Sequence, residues 1–586
     1  MTRAPGRTPF HRATALRRLG KERFDVLVIG GGITGAGVAL DAAARGMRTA
    51  LVEGRDFASG TSSQSSKLIH GGLRYLQQKD FALVYEALAE RQRLLGNAPH
   101  LVTRLPFLIP LFGNDGVIHQ GIARTYSSAL WLYDLTGGLR IGERHRRLSG
   151  PQALADFPAL DTRRLIAGFR YWDAWADDAR LSLTIARTAV SRYGAVAANY
   201  APVVALRTDE CQRVCGATLD DGTEIKATTV VNACGVWSDQ LRALDTNETG
   251  GASLRPAKGI HLTFRADRLP TVTAAVLPVP GDRRTIFVVP WGDFTYVGTT
   301  DTDYDGSLET PQCTPEDVAY LLRALNAAIT APVSEADVVG SWAGLRPLVR
   351  EARNARTADL SRRHQVSVST DGMINVTGGK LTTYRRMAAD AVDEVARQLG
   401  GSRRRSPTKH LLLLGADRAA ALRKPGSASR LGVTEEVLAH LVNRYGSEAR
   451  TVIAMMEADP QLGRPLLDGL PYLRAEAVYA ARYEMAWTLD DVLSRRTRAR
   501  LLDRDATAEA AADVARLIAP ELGWSPARAD TEVEAYRDMA RRAKEAMSRR
   551  DAPDATEAAR VGESRTPEPV TRRGLLDGAG PARDRR

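Results

Sequence analysis

Residues 24–53, FDVLVIGGGITGAGVALDAAARGMRTALVE, constrain the fold more than any other part of the chain. An apolar strand from Val26 to Ile29 runs into Gly30-x-Gly32-x-x-Gly35, a helix follows, and a second apolar strand ends in Glu53. That order suits a dinucleotide. Gly30 permits the tight turn, Gly32 lets backbone approach a pyrophosphate at the helix N-terminus, and Gly35 lets helix and strand pack closely. Ala39, Ala42 and Ala43 keep the inner helix face small. Glu53, about 20 residues on, is placed to bond ribose hydroxyls and to repel a 2′-phosphate. Three glycines at this spacing also occur in ordinary strand-to-helix turns; the two strands, the small helix face and the acid together specify dinucleotide binding. From this unit alone NAD and FAD both remain open.

At 586 residues the chain is too long for one core, given roughly 100–200 residues per domain. Residues 24–398 read as mixed α/β, in which cofactor and substrate domains interleave. Within them, two alternating segments around Asp221-Gly222 predict an antiparallel meander, and TIFVVPWGDFTYVGTTD at 285–301 predicts a strand-rich platform beside a ligand. Residues 399–408, rich in Gly, Ser, Pro and Arg, read as an exposed linker. Ala, Leu, Arg and Glu at helical spacing then predict a helical domain over 409–548. Residues 549–586 have the Pro-, Gly- and charge-rich composition of a disordered tail.

Charge and cysteine content exclude several classes. The net charge is +12, but residues 1–23 carry seven basic residues and one acid, so half of the excess sits in a basic N-terminal arm. With no zinc-finger spacing or other nucleic-acid module, nucleic acid is not expected as a partner. The arm has no apolar core of the kind a secretory signal needs, and no run approaches the roughly 18 apolar residues of a membrane span. A cytoplasmic location is expected. Four cysteines (211, 215, 234 and 313) are too few for a disulfide framework and lack a second zinc-ligand pair, so no metal is expected. Lysine is scarce, 9 against 72 arginines, which draws attention to each lysine that persists.

Two distant segments return toward the first glycine turn. TVVNACGVWSD (229–239) is a strand ending in Ala233-Cys234-Gly235, and DGMINVTGGKLTTYRR (371–386) is a strand ending in Gly378-Gly379, with a helix beginning near Lys380. A helix N-terminus aimed at a flavin carbonyl would stabilise the anion formed on reduction, which favours FAD. Cys234 stands where only a small residue is needed, and no redox role is assigned to it.

SSQSSKLIHGGLRYL (62–76), KGIHL (258–262), GLRPL (344–348), GGKLTTYR (378–385) and RYEMAWTLDDVLSRRTR (482–498) resemble the FAD-dependent, quinone-linked glycerol-3-phosphate dehydrogenases over roughly residues 24–500. The resemblance implies a Rossmann-like FAD domain of the glutathione-reductase type, a substrate domain on an antiparallel sheet, and a C-terminal helical domain. It implies oxidation of glycerol 3-phosphate to dihydroxyacetone phosphate, with electrons passed to quinone. Arg74, Arg346 and Arg362 match that family's substrate arginines, with Tyr75 as an added hydroxyl donor; SRRHQV leaves Arg362 ambiguous with Arg363. The cofactor set carried over is Gly30, Gly32, Thr34, Gly35, Glu53, Ser62, Ser63, Ser66, Lys67, Gly235, Gly379, Lys380, Leu381 and Thr382.

The residues agree with that substrate. A phosphate dianion calls for bidentate guanidinium donors, which lysine cannot supply. Oxidising a secondary alcohol takes the C2 hydride to flavin and the hydroxyl proton to a base. His261 is the candidate base, with imidazole titrating close to operating pH. Lys380 is placed to stabilise a developing alkoxide or the reduced flavin. A quinone acceptor lies in the bilayer, so peripheral attachment to the inner face of the cytoplasmic membrane is expected, through the basic arm or the apolar stretches 101–112 and 129–135. A homodimer is also carried as an expectation. The competing readings are an oxidase of the same fold that releases hydrogen peroxide, a flavin amine oxidase, and a FAD-bound protein without turnover. The arginines weigh against the second, and His261 with Lys380 against the third.

Overall fold

The computed structural model describes residues 10–72, 81–113, 130–134, 141–244, 254–282, 284–349, 364–400 and 405–548. The chain divides after Ser548; the second unit, 549–586, lies outside the described residues, as does the tail reading placed on it.

The fingerprint strand Arg23–Ile29 sits in the middle of an eight-stranded sheet, between parallel neighbours Thr49–Val52 and Glu224–Asn232. Val196–Ala198 and Ile374–Gly378 extend the parallel set, and His364–Val368 adds an antiparallel edge. Both faces of the central strand are covered, which is why its sequence is apolar without alternation. Val26 and Val28 pack with Ala36, Ala39 and Ala43 of the helix Ile33–Ala44, while Leu27 and Ile29 pack with Leu219, Ile225 and Val230 on the other side. The meander is present as Val203–Thr208, Val214–Leu219 and Glu224–Asn232, with Gly222 at φ 81° in its second turn.

A second sheet of ten strands is largely antiparallel. Its long strand Leu254–Arg265 lies between Phe294–Gly298 and Val338–Val349. Period two divides its side chains: Ile260, Leu262 and Phe264 enter one core, and His261 and Thr263 point to the opposite face. The 285–301 platform is the hairpin Thr285–Trp291 and Phe294–Gly298. Residues 409–548 contain helices, among them Glu435–Tyr445, Arg474–Tyr483, Arg504–Leu522 and Pro526–Ser548, and belong to the same unit as the sheets. They pack in two cores: Leu489, Leu493, Leu502 and Tyr536 close on Phe294 of the platform, while Leu438, Leu441, Tyr445 and Tyr479 form the other.

Three of the segments read from the sequence gain detail in the structure. The basic arm, where described, is folded: Phe10, Ala15 and Leu19 are buried, and Arg12 donates to the carbonyls of Asn199 and Tyr200. An apolar face on the helix Arg12–Leu19 outweighs the tendency of its charges to stay solvated. The linker is not simply exposed either, because Thr408 is buried and its hydroxyl donates to Asp41 at 3.0 Å. The stretch 101–112 takes ordinary core packing, which its sequence favoured over an interfacial patch: it is the strand Val102–Phe112, with Phe107 and Leu108 fully buried. No helix among the described residues is long and apolar enough to cross a membrane.

Candidate active site

A cavity of about 500 Å³ opens at the C-terminal ends of the parallel strands. It is lined by Gly30, Gly32 and Thr34 of the fingerprint, by Glu53, Ser62 and Gly235, and by Gly379, Lys380 and Leu381. Its size is within the roughly 300–1,000 Å³ of cofactor and small-molecule sites. Glu53 Oε2 accepts the Gly31 N–H at 2.6 Å and Oε1 the Arg55 N–H at 2.9 Å, so the acid is fixed beside the glycine turn. Burial nevertheless pushes its carboxyl above the usual carboxylate range. Ser62 Oγ accepts the Ile33 N–H at 2.8 Å, tying the 59–62 loop to the first turn of the helix. A β-carbon on Gly35 would stand 1.8 Å from the Gly30 carbonyl oxygen, so Gly35 serves the packing of helix on strand. A cavity lined by the glycine turn, a helix N-terminus and a buried acid fits a dinucleotide such as FAD.

Beside this cavity lies an aromatic box. The imidazole of His261 stacks on Trp342, with centroids 4.6 Å apart and planes at 9°, and meets Tyr296 edge-on. Its Nε2 is 2.8 Å from Ser66 Oγ, and its Nδ1 is buried with no hydrogen-bond partner among the described residues. Gly298 makes room for the ring, since a β-carbon there would lie 2.0 Å from His261 Cδ2. Burial, and then the cations of Lys67 and Arg346, lower the imidazole pKa well below its ordinary value. His261 is therefore held neutral, in contrast to the expectation that it titrates close to operating pH. Arg346, on the neighbouring strand, donates from Nη1 to the Thr300 carbonyl (3.1 Å) and Asp301 (3.0 Å) and from Nη2 to Thr299 Oγ1 (3.1 Å). Gly259 admits it: a β-carbon there would meet Arg346 Nη2 at 2.6 Å.

Nine of the fourteen proposed cofactor residues line the cavity; Gly35, Ser63, Ser66, Lys67 and Thr382 do not. Lys67 is fully buried in an ion network, with Nζ 3.3 Å from Asp178 Oδ1 and 4.5 Å from the Trp342 ring centroid. Burial and Arg498 push its ammonium down to about 7 despite Asp178. Arg74, Tyr75 and Arg362 lie outside the described residues. Sequence reasoning missed Trp342, although its place two alternations before Arg346 puts both on one face of a strand. It also missed Trp237, which forms part of the cavity wall and donates to Glu309 at 2.8 Å.

This fold and cavity define a flavin-dependent oxidoreductase, and the family model for FAD dependent oxidoreductases matches residues 25–385. A second model, the C-terminal domain of alpha-glycerophosphate oxidase, matches residues 406–529. Within that class the chain belongs to the glycerol-3-phosphate dehydrogenase family. It is 43% identical over 551 residues to glycerol-3-phosphate dehydrogenase 2 of Mycobacterium tuberculosis, covering 92% of each chain. It is 37% identical to the mitochondrial glycerol-3-phosphate dehydrogenase of Rattus norvegicus, covering 90% of this chain and 74% of the relative. The crystal structure of the Bacillus halodurans glycerol-3-phosphate dehydrogenase complexed with FAD matches at a TM-score of 0.74 and 32% identity, over 92% of this chain and 99% of that one.

Proposed function

We propose that this protein oxidises glycerol 3-phosphate to dihydroxyacetone phosphate with FAD as cofactor and passes the electrons to quinone. The observation that carries the reading is a neutral, buried imidazole beside a guanidinium on adjacent strands, next to a dinucleotide cavity. When bound, FAD supplies the hydride acceptor. His261 receives the hydroxyl proton of the substrate as the C2 hydride leaves; Ser66 fixes the ring at Nε2, and Trp342 fixes its plane. With Nε2–H donating to Ser66, Nδ1 carries the lone pair. Arg346 meets the substrate's anionic end, pre-set by Thr299, Thr300 and Asp301. Lys380, in the cavity lining, stabilises negative charge developing there. Arg74, Tyr75 and Arg362 complete the phosphate site by their match to the family motif.

Arg346→Lys is expected to retain flavin and lose turnover of glycerol 3-phosphate. One ammonium replaces a fork that spans three fixed acceptors, and a loss of roughly 2–5 kcal/mol in transition-state binding follows for a desolvated charge pair. Steady-state kcat/KM measures it, and an unchanged value removes Arg346 from the site.

Because a quinone acceptor is dissolved in the bilayer, attachment at the inner face of the cytoplasmic membrane is part of the same proposal. Trp131 (48% exposed) and Leu132 (37%) offer an apolar contact in the 129–135 stretch, and Arg17, Lys21 and Arg23 remain exposed on the folded arm. Sedimentation with anionic liposomes at low and high salt tests attachment: binding that weakens as ions screen the arm is expected. A protein that ignores liposomes in both and reduces oxygen as fast as a quinone analogue is instead an oxidase releasing hydrogen peroxide.

A further inference from the structure

The cofactor-lining residues Ser59–Ser62 belong to a loop that one segment of the C-terminal domain holds at both ends. At the near end Arg496 donates from Nη1 and Nη2 to the two oxygens of Asp56, at 2.7 and 2.8 Å, and Arg495 Nε reaches the same carboxylate at 2.7 Å. At the far end Arg498 Nη2 donates to the Ser63 carbonyl at 2.5 Å and to Asp178 Oδ1 at 3.0 Å. Asp178 in turn accepts from the N–H and hydroxyl of Ser65, at 2.9 and 2.7 Å, and pairs with Lys67. The π-helical turn Asp491–Arg496 sets these arginines against the loop, and Arg498 takes the left-handed conformation (φ 68°), strained for a non-glycine residue. The charged groups of the two clamps, Asp56, Arg495, Arg496, Asp178 and Arg498, are all buried, so the contacts are not screened by solvent.

From the loop the constraint continues to the catalytic box. The Trp342 indole N–H donates to the Ser65 carbonyl at 3.2 Å, the Tyr296 hydroxyl donates to the Ser66 carbonyl at 2.8 Å, and Ser66 Oγ is the partner of His261. A shift of residues 63–66 therefore moves Ser62 at the helix N-terminus and the seat of His261 together.

We propose that the C-terminal helical domain is a working part of the cofactor site, with Arg498 as the positioning residue that clamps the Ser59–Ser66 loop in its FAD-binding geometry. This rests on FAD occupying the cavity, and is independent of the substrate and the acceptor.

Arg498→Met tests it, because the loop carbonyl and the carboxylate it clamps keep another partner: Lys67 Nζ remains within 3.3 Å of the Ser63 carbonyl and of Asp178. The fold should survive. FAD is titrated into the apo-protein and followed by quenching of its fluorescence. Loss of the two hydrogen bonds that hold the loop and Asp178, out of the three the Arg498 side chain makes, should weaken FAD binding by about ten- to a hundredfold, with unchanged far-UV circular dichroism and a blurred visible flavin band. Arg498→Lys, able to satisfy one acceptor at a time, should recover part of the affinity. Arg482→Met removes an exposed pair with Glu521 in the same domain and should leave FAD affinity at the wild-type value. An Arg498→Met protein that folds and binds FAD like wild type overturns the proposal, as does an equal loss in Arg482→Met. Should Arg498→Met not fold, Arg498→Lys decides by the same titration: weakened binding supports the clamp and unchanged binding overturns it. Failure of the wild-type chain to bind FAD would instead overturn the reading on which the clamp rests.

Discussion

Gly32→Val should give a folded protein that purifies without flavin colour. Gly32 precedes the helix with φ −74°, a backbone conformation that valine adopts, so the substitution does not strain the chain. Its β-carbon would lie 3.0 Å from Ser62 Oγ, on the wall of the cavity, where the fingerprint places a pyrophosphate. Several charge-assisted hydrogen bonds of roughly 1.5–3 kcal/mol each are at stake, so affinity should fall by about a thousandfold or more. Gly35→Val is the contrast. There the β-carbon overlaps the Gly30 carbonyl, and the variant should fail to fold. The ratio of flavin to protein absorbance, read beside circular dichroism, separates the two. Stoichiometric FAD in folded Gly32→Val would remove the glycine turn from the cofactor site, and NAD in place of flavin in the wild type would overturn the cofactor assignment.

The contrast between these glycines also marks what could be read in the sequence. Gly30, Gly32, Gly35 and Glu53 act through backbone geometry within 30 residues, and their spacing carries that geometry directly. The meander was legible for the same reason, since Asp221-Gly222 fixes a turn between its neighbours. Lys67 shows the limit. It sits inside a family motif and reads as a cofactor ligand, yet Asp178, 111 residues on, draws it into a buried pair, and Arg498 approaches the same carboxylate from the C-terminal domain. No periodicity in the sequence reports that meeting. The helix Arg12–Leu19 fails differently: its charges dominate the composition of the arm, while three apolar residues decide where it lies. His261 was legible as a chemical group but not in its protonation state, because the lowered pKa comes from burial under Trp342 and from the cations Lys67 and Arg346, which other segments bring to it.

That protonation state leads to the second large effect. His261→Gln should keep FAD and lower kcat by roughly a hundred- to ten-thousandfold, the usual range for removal of a general base. Glutamine can still bond Ser66 but cannot take a proton, so the aromatic box is preserved while the chemistry is lost. The pH dependence follows from the direction of the shift. Burial, with Lys67 and Arg346 adding to it, disfavours the imidazolium in the folded protein, so His261 stays neutral as pH falls through its ordinary value near 6.5. No acid limb belonging to His261 should appear near that pH in wild-type kcat at saturating substrate, where the second ionisation of the substrate phosphate at about 6 does not enter through binding; the limb of His261 belongs well below it. Stability behaves with the matching sign. Below about 6.5 the unfolded chain binds a proton that the folded chain refuses, so the His261 contribution is fully present above that pH and is lost as pH falls below it. Wild type should therefore lose more thermal stability than His261→Gln between neutral and mildly acidic pH, and stopped-flow reduction with glycerol 3-phosphate reads the kinetic half of the test. An acid limb near 6.5 that disappears in His261→Gln would mean the imidazole is not held neutral, and near-wild-type reduction by His261→Gln would place the base on another residue.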